Sequence, residues 1–146
     1  MIIKTNKYYI YMAHVVNEKL EVIDTLEKRD DFKHFVKINK YVIVKFSATW
    51  CNPCQRIKEP FINFYKDSLK YNKEIKLILV DIDENREIPN LVRIKSVPTM
   101  IFYCSGDMEN SCNSSAIENV KRFFETSLQN IKKNENSKEY MLDMDD

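Results

Sequence analysis

The stretch YVIVKFSATWCNPC, at residues 41–54, decides the fold. Its first half, Tyr41 to Ser47, is an almost unbroken β-branched and aromatic run, which is typical of a strand buried on both faces of a sheet. Pro53 favours the first turn of a helix, because the N–H that proline lacks would have no intrahelical partner there. The stretch therefore predicts a central strand followed by a C-x-x-C motif at the N-terminus of a helix.

The rest of the chain alternates between strand and helix patterns. Short strands are predicted near residues 20–23, 75–82, 99–104 and 108–112, and helices after Asp30, after Pro53, at 88–94 and after Ser114 or Ser115. Pro60 lies inside the helix after Pro53 and should kink it. The predicted fold is α/β, a mixed sheet of central parallel strands and a C-terminal antiparallel hairpin, with helices on both faces.

The length of 146 residues favours one domain. Residues 1–19 carry few structural signals and are predicted to be an N-terminal extension, which leaves the domain at 20–131. The sequence leaves open whether this extension packs as an extra strand or helix or binds a partner. The segment 132–146 is polar, and we expect a disordered tail.

Composition excludes several classes of function. A single glycine, Gly106, cannot supply the two or three glycines of a phosphate-binding loop or a dinucleotide fingerprint, and we expect it in the hairpin turn. The net charge of +1 favours neither nucleic acid nor an acidic partner. No convincing signal peptide or membrane span is visible, so we expect a cytoplasmic protein without a membrane partner; a virion or an organelle stays open.

The C-x-x-C motif is the candidate catalytic centre. Cys51 is predicted at a helix N-terminus, where unpaired N–H groups and the helix dipole stabilise a thiolate. Cys54 follows one turn later, close enough to attack a mixed disulfide formed at Cys51. We therefore expect Cys51 to be an exposed nucleophile and Cys54 to be a buried resolving thiol.

A zinc site and an inert C-x-x-C are the alternatives. Zinc takes four ligands, and neither the other two cysteines, Cys104 and Cys112, nor the histidines show the spacing of a second ligand pair, so no metal is predicted. In the predicted hairpin, Cys104 and Cys112 are about 13 Å apart along the sheet. A disulfide between them is therefore not expected.

The segment FSATWCNPC at 46–54, together with Val97-Pro98-Thr99 about 45 residues later, resembles the thioredoxin family over residues 20–131. The resemblance implies a cis Val97–Pro98 bond facing the dithiol and a Val97 backbone that pairs with an extended substrate. Trp50, Asn52, Pro53, Val97 and Pro98 are then the candidate substrate-binding residues. It also implies protein disulfides as substrates, a flavin-containing thioredoxin reductase as electron donor, and no cofactor of the chain's own.

Three positions depart from the family pattern. Asn52 replaces the usual glycine between the cysteines, and Ser114 falls near a second glycine position. Lys45 stands where the family commonly has a buried acid. A charged Lys45 would stabilise a thiolate, a neutral one could accept the proton of Cys54, and one that extends to the sheet edge would do neither.

The sequence thus predicts a thiol–disulfide oxidoreductase that reduces or exchanges protein disulfides through Cys51 and Cys54. The departures at Lys45 and Asn52 motivate an alternative, a binding module that keeps the fold with little redox activity. The residues leave open the direction of electron flow.

Overall fold

A computed structural model describes residues 11–144 of the chain. Six strands alternate with five helices in this region. The strands are β1 (Ala13–Val16), β2 (Val22–Leu26), β3 (Tyr41–Ser47), β4 (Ile75–Asp81), β5 (Thr99–Cys104) and β6 (Asp107–Cys112). The helices are α1 (Arg29–Ile38), α2 (Asn52–Arg56), α3 (Lys58–Tyr71), α4 (Glu87–Val92) and α5 (Ile117–Met144). None of these helices is long and apolar enough to cross a membrane.

The strands form one mixed sheet in the order β2-β1-β4-β3-β5-β6. β3 and β4 are parallel, so their carboxyl ends meet at the same edge. β5 runs antiparallel to β3, which brings the segment before Thr99 to that edge as well. The predicted α/β class, with central parallel strands and a C-terminal hairpin, is confirmed.

The core has one layer on each face of the sheet. Alternate residues of β3 point to opposite faces. Tyr41 and Ile43 pack in the layer that also contains residues of α3 and α5. Val42 and Val44 pack in the layer that contains residues of α1 and α4. Lys45 follows Ile43 on the α3 face, and this position puts a cation inside an apolar layer.

The sheet begins earlier than the sequence predicted. Residues 13–16 were expected to lie in an N-terminal extension, but β1 lies between β2 and β4 and pairs with both. The strand predicted at 20–23 is shifted to Val22–Leu26, because Leu20 lies in the preceding turn with φ of 61°. The remaining residues of the predicted extension, 1–10, lie outside the described part of the chain.

The helix after the C-x-x-C motif breaks at Ile57 and not at Pro60. Ile57 separates α2 from α3, and Pro60 is the third residue of α3. A proline donates no hydrogen bond to the carbonyl four residues earlier, and its ring would clash with that carbonyl in a continuous helix. The break one turn before Pro60 removes both problems and reorients α3 over the sheet.

The β5–β6 hairpin has a two-residue turn. Ser105 and Gly106 both have positive φ, 50° and 91°, as tight hairpin turns require. Gly106 therefore has the predicted role, whereas Asp107 already pairs with Cys104 in the ladder. A bulge between Phe102 and Tyr103 shifts the register, and Cys112 pairs with Met100.

The predicted disordered tail is wrong for residues 132–144, which continue α5. Three contacts attach this part of the helix to the sheet. Asn134 donates a 2.9 Å hydrogen bond to the hydroxyl of Tyr41. Lys40 binds both carboxylate oxygens of Glu135, at 2.9 and 2.8 Å. Some polar residues of this segment therefore bind side chains at the start of β3, while others are exposed to solvent.

Candidate active site

The cysteine pair lies at the carboxyl edge of the sheet, where β3 ends and α2 begins. Cys51 is the N-cap of α2, and its Sγ accepts a 3.1 Å hydrogen bond from the backbone N–H of Cys54. The two cysteines form a disulfide, with their Cα atoms 5.2 Å apart. Amide donors and the helix dipole both favour negative charge on a sulfur at this position.

Both cysteines are buried in this disulfide state. Cys54 is 1% exposed, as expected for the inner thiol, but Cys51 is only 4% exposed. The expected exposure of Cys51 is therefore wrong for the oxidised form. The sulfur packs in a small cluster with Ala48 and against the half-buried Val97 and Ile82. Of the two sulfur-bearing residues, Cys51 is therefore the slightly more accessible in the oxidised form.

The loop before β5 faces the cysteine pair, as the sequence predicted. The Val97–Pro98 peptide bond is cis. The carbonyl oxygen of Val97 lies 3.8 Å from Cys51 Sγ. Pro98 is buried, and Val97 is partly exposed, so the Val97 backbone is the part of this loop within reach of an incoming chain.

Trp50 forms one wall of a groove beside the cysteines. Its side chain is 64% exposed, and its Nε1 donates a 2.7 Å hydrogen bond to Asp83 Oδ2. The groove has a volume of about 330 Å³ and extends from Val97 towards α4. Arg86 and Lys95 lie in its lining, and neither has an ion-pair partner among residues 11–144. Asn52 is exposed and Pro53 partly exposed on the first turn of α2.

Lys45 and Cys54 line a second cavity, of about 240 Å³, on the α3 side of the sheet. Lys45 is 6% exposed, and its Nζ lies 5.1 Å from the centroid of the Phe61 ring. Burial, together with the positive charge of Lys58, lowers the pKa of Lys45 to about 8. The side chain of Lys45 therefore stays under the cysteine pair and does not extend to the sheet edge.

The other two cysteines are free and lie in the hairpin. Cys104 is partly buried, and burial raises the pKa of its thiol. Cys112 Sγ lies 3.8 Å from the carbonyl oxygen of Asn119, at the start of α5. Within residues 11–144, no group of three or more histidine, cysteine or acidic side chains is placed to hold a metal ion.

Two groups near the cysteines were not predicted from the sequence. Asp83 and Arg86 follow β4, more than 30 residues after Cys51, whereas Lys58 begins α3, seven residues after Cys51. The sequence could have indicated Asp83 and Arg86, because the predicted parallel strands β3 and β4 must end at the same edge of the sheet. The position of Lys58 depends on the helix break at Ile57, one turn before Pro60.

The fold and the site together define an α/β protein with a cysteine pair that can alternate between dithiol and disulfide. The family model described as Thioredoxin matches residues 22–126, which is most of the chain. The chain belongs to the thioredoxin family, whose members are thiol–disulfide oxidoreductases.

Individual relatives agree with this assignment. Thioredoxin 1 of Plasmodium falciparum is 30% identical over 102 residues, which cover 68% of this chain and 94% of that protein. A solved structure of Plasmodium falciparum thioredoxin has a TM-score of 0.58 at 30% identity and covers 69% of this chain and 95% of that one. The crystal structure of thioredoxin from Trypanosoma brucei brucei has a TM-score of 0.60 at 25% identity. The match covers 74% of this chain and 88% of that one.

Proposed function

We propose that this protein reduces disulfide bonds in other proteins, with Cys51 as the attacking thiol and Cys54 as the resolving thiol. The observation that carries the proposal is the position of the pair: Cys51 caps α2 and its Sγ lies 3.8 Å from the Val97 carbonyl. This position combines a sulfur in the field of a helix N-terminus with a free backbone edge beside it.

The reaction proceeds in two exchanges. The Cys51 thiolate attacks one sulfur of the substrate disulfide and expels the other as a thiolate, which leaves a mixed disulfide. Cys54 then loses its proton and attacks the Cys51 sulfur, which forms the Cys51–Cys54 disulfide and releases the second substrate sulfur. The substrate gains two electrons and two protons, and the dithiol loses both.

Substrate would approach the cysteines along the exposed residues around them. The Val97 backbone offers hydrogen-bonding groups to an extended segment, and the buried Pro98 holds that loop in place. Trp50 provides an exposed apolar surface on one side, and Asn52 and Pro53 form the rim on α2. Cys51 is only 4% exposed, and this favours a disulfide in an extended or flexible segment that can approach it closely.

The oxidised protein needs an electron donor to act again. The thioredoxin family is generally reduced by thioredoxin reductase, and we infer a donor of this kind here. Its thiolate would attack Cys51 rather than Cys54, because Cys54 is 1% exposed and Cys51 is 4% exposed.

The proposal is tested by reduction of insulin disulfides with dithiothreitol as the electron donor. The wild-type protein should accelerate the reaction, and Cys51→Ser should abolish that acceleration. Cys104→Ser is the matched control, since it removes a free thiol distant from α2, and it should keep the wild-type rate. Equal rates with wild type and Cys51→Ser would overturn the proposal. The alternative function, a binding module with little redox activity, would then be favoured.

A further inference from the structure

Lys45 is a buried cation next to the buried cysteine. Its neighbours across the ladders of β4 and β5 are Leu79 and Met100, so the sheet provides no counter-charge. Among residues 11–144, Lys45 has no hydrogen-bond or ion-pair partner, and its Nζ lies 5.1 Å from the centroid of the Phe61 ring. A buried ammonium group without a partner is unfavourable, unless another group in the protein compensates it.

The charged groups around Lys45 leave one candidate partner. Lys58, which α3 contributes to the same cavity, is itself positive. Asp81, at the end of β4, is the carboxylate of the lining, and its Oδ1 accepts the backbone N–H groups of Asp83 and Glu84, at 2.9 and 3.3 Å. The lining residue from the β1–β2 turn is the uncharged Leu20. The lining residues from α2 are Cys54 and Gln55, and of these only the Cys54 thiol is ionisable.

We propose that in the reduced protein Lys45 and Cys54 form an ammonium–thiolate pair across the cavity that both residues line. This inference rests on the proposed thiol–disulfide exchange, and it adds a group that handles the proton of the resolving thiol. The cavity, of about 240 Å³, is large enough to hold a water molecule that carries the proton between the two residues.

The proton balance follows from the two sulfur states. In the mixed disulfide, neutral Lys45 Nζ takes the proton of the Cys54 thiol, and the resulting thiolate attacks the Cys51 sulfur. The S–S bond to the substrate breaks as the Cys51–Cys54 bond forms. The departing substrate thiolate takes up a proton from solvent. Once no thiolate faces Lys45, its pKa returns to about 8, and its proton exchanges with solvent again.

The oxidised protein shows one half of this cycle. Without a thiolate at Cys54, burial dominates, and the pKa of Lys45 is lowered to about 8. A group with a pKa near the working pH is well suited to exchange protons in both directions. In the reduced protein the thiolate should raise the pKa of Lys45, and Lys45 should in turn lower the pKa of Cys54.

The experiment measures both pKa values by NMR titration. Lysine Cε and cysteine Cβ carbons are followed in the full chain, oxidised and reduced. We expect the pKa of Lys45 to rise by about one unit or more on reduction. In a Cys51→Ser background, which isolates Cys54, Lys45→Met should raise the pKa of Cys54 by a similar amount, which lowers its thiolate fraction about tenfold at neutral pH.

The matched control is Lys66→Met, which removes an exposed lysine of α3 outside this cavity and should leave the pKa of Cys54 unchanged. If the pKa of Lys45 does not change on reduction, the proposed ammonium–thiolate pair is overturned. This measurement uses only the wild-type protein, so it does not depend on the folding of a variant. An unchanged Cys54 pKa in Lys45→Met would overturn the pair as well. If the wild-type protein does not accelerate insulin reduction, only the proposed function is contradicted, because both pKa values are measured without substrate.

Discussion

Trp50 Nε1 donates a 2.7 Å hydrogen bond to Asp83 Oδ2, and this bond joins the residue before the cysteine pair to the turn that follows β4. Two segments more than 30 residues apart are thus connected at the mouth of the groove, because β3 and β4 are parallel and end at the same edge. The bond orients an exposed indole that nothing else in the described chain binds through its N–H.

We predict that Asp83→Ala releases the Trp50 side chain. Trp50 is the single tryptophan of the chain, so intrinsic fluorescence reports on it directly. A hydrogen bond to a carboxylate is worth about 1 kcal/mol or less when both groups are exposed, so the fold should persist. The fluorescence anisotropy of Asp83→Ala should fall, and quenching by acrylamide should increase.

Asp107→Ala is the control for this experiment, since it removes an exposed acid from β6, distant from Trp50. Its fluorescence should match that of the wild-type protein. Anisotropy that stays the same in Asp83→Ala would mean that packing, rather than the bond to Asp83, holds the indole.

The groove beside Trp50 should favour acidic substrate segments. Arg86 and Lys95 line it without ion-pair partners among the described residues. For a peptide disulfide flanked by glutamates, the double substitution Arg86→Glu and Lys95→Glu should raise KM about fivefold, with kcat nearly unchanged. Added salt should weaken the wild-type preference, because it screens exposed charges.

The same peptide with neutral flanks is the internal control, and its KM should change little. Lys121→Glu, an exposed change on α5, controls for net charge. A wild-type protein that reduces the acidic and the neutral peptide equally well would exclude this preference.

The sequence predicted the parts of the site that depend on local pattern. Tyr41 to Ser47 is buried on both faces because its side chains are apolar throughout, and Cys51 caps a helix because Pro53 suits a first turn. The kink predicted from Pro60 lies one turn before it, at Ile57, because a proline disturbs the preceding turn of a helix. The bonds of Asn134 and Glu135 join residues more than 90 positions from their partners, so periodicity could not indicate them.

Stability should depend on pH through Lys45. Its pKa is 10.5 in an unfolded chain and about 8 in the folded, oxidised protein, so the unfolded state binds more protons between these values. The free energy of unfolding of the wild-type protein should therefore rise as the pH increases from 8 towards 10.5. The full penalty, present below pH 8, is about 3 kcal/mol.

The comparison variant is Lys45→Met, which has no such ionisation. At neutral pH the oxidised variant should be more stable than the wild-type protein in urea denaturation, and the difference should shrink as the pH rises to 10.5. If the difference in the free energy of unfolding stays constant over this pH range, burial does not destabilise the charged form of Lys45.

The C-terminal part of α5 should contribute to global stability through Asn134. Tyr41 is 0% exposed, and Asn134 donates a 2.9 Å hydrogen bond to its hydroxyl. Asn134→Ala would leave this buried hydroxyl without its donor, which should lower the free energy of unfolding by about 1–2 kcal/mol. Asn136→Ala, two residues further along an exposed face, should change it by less than about 0.5 kcal/mol. Equal urea midpoints for the two variants would mean that residues beyond Ile131 are helical without supporting the sheet.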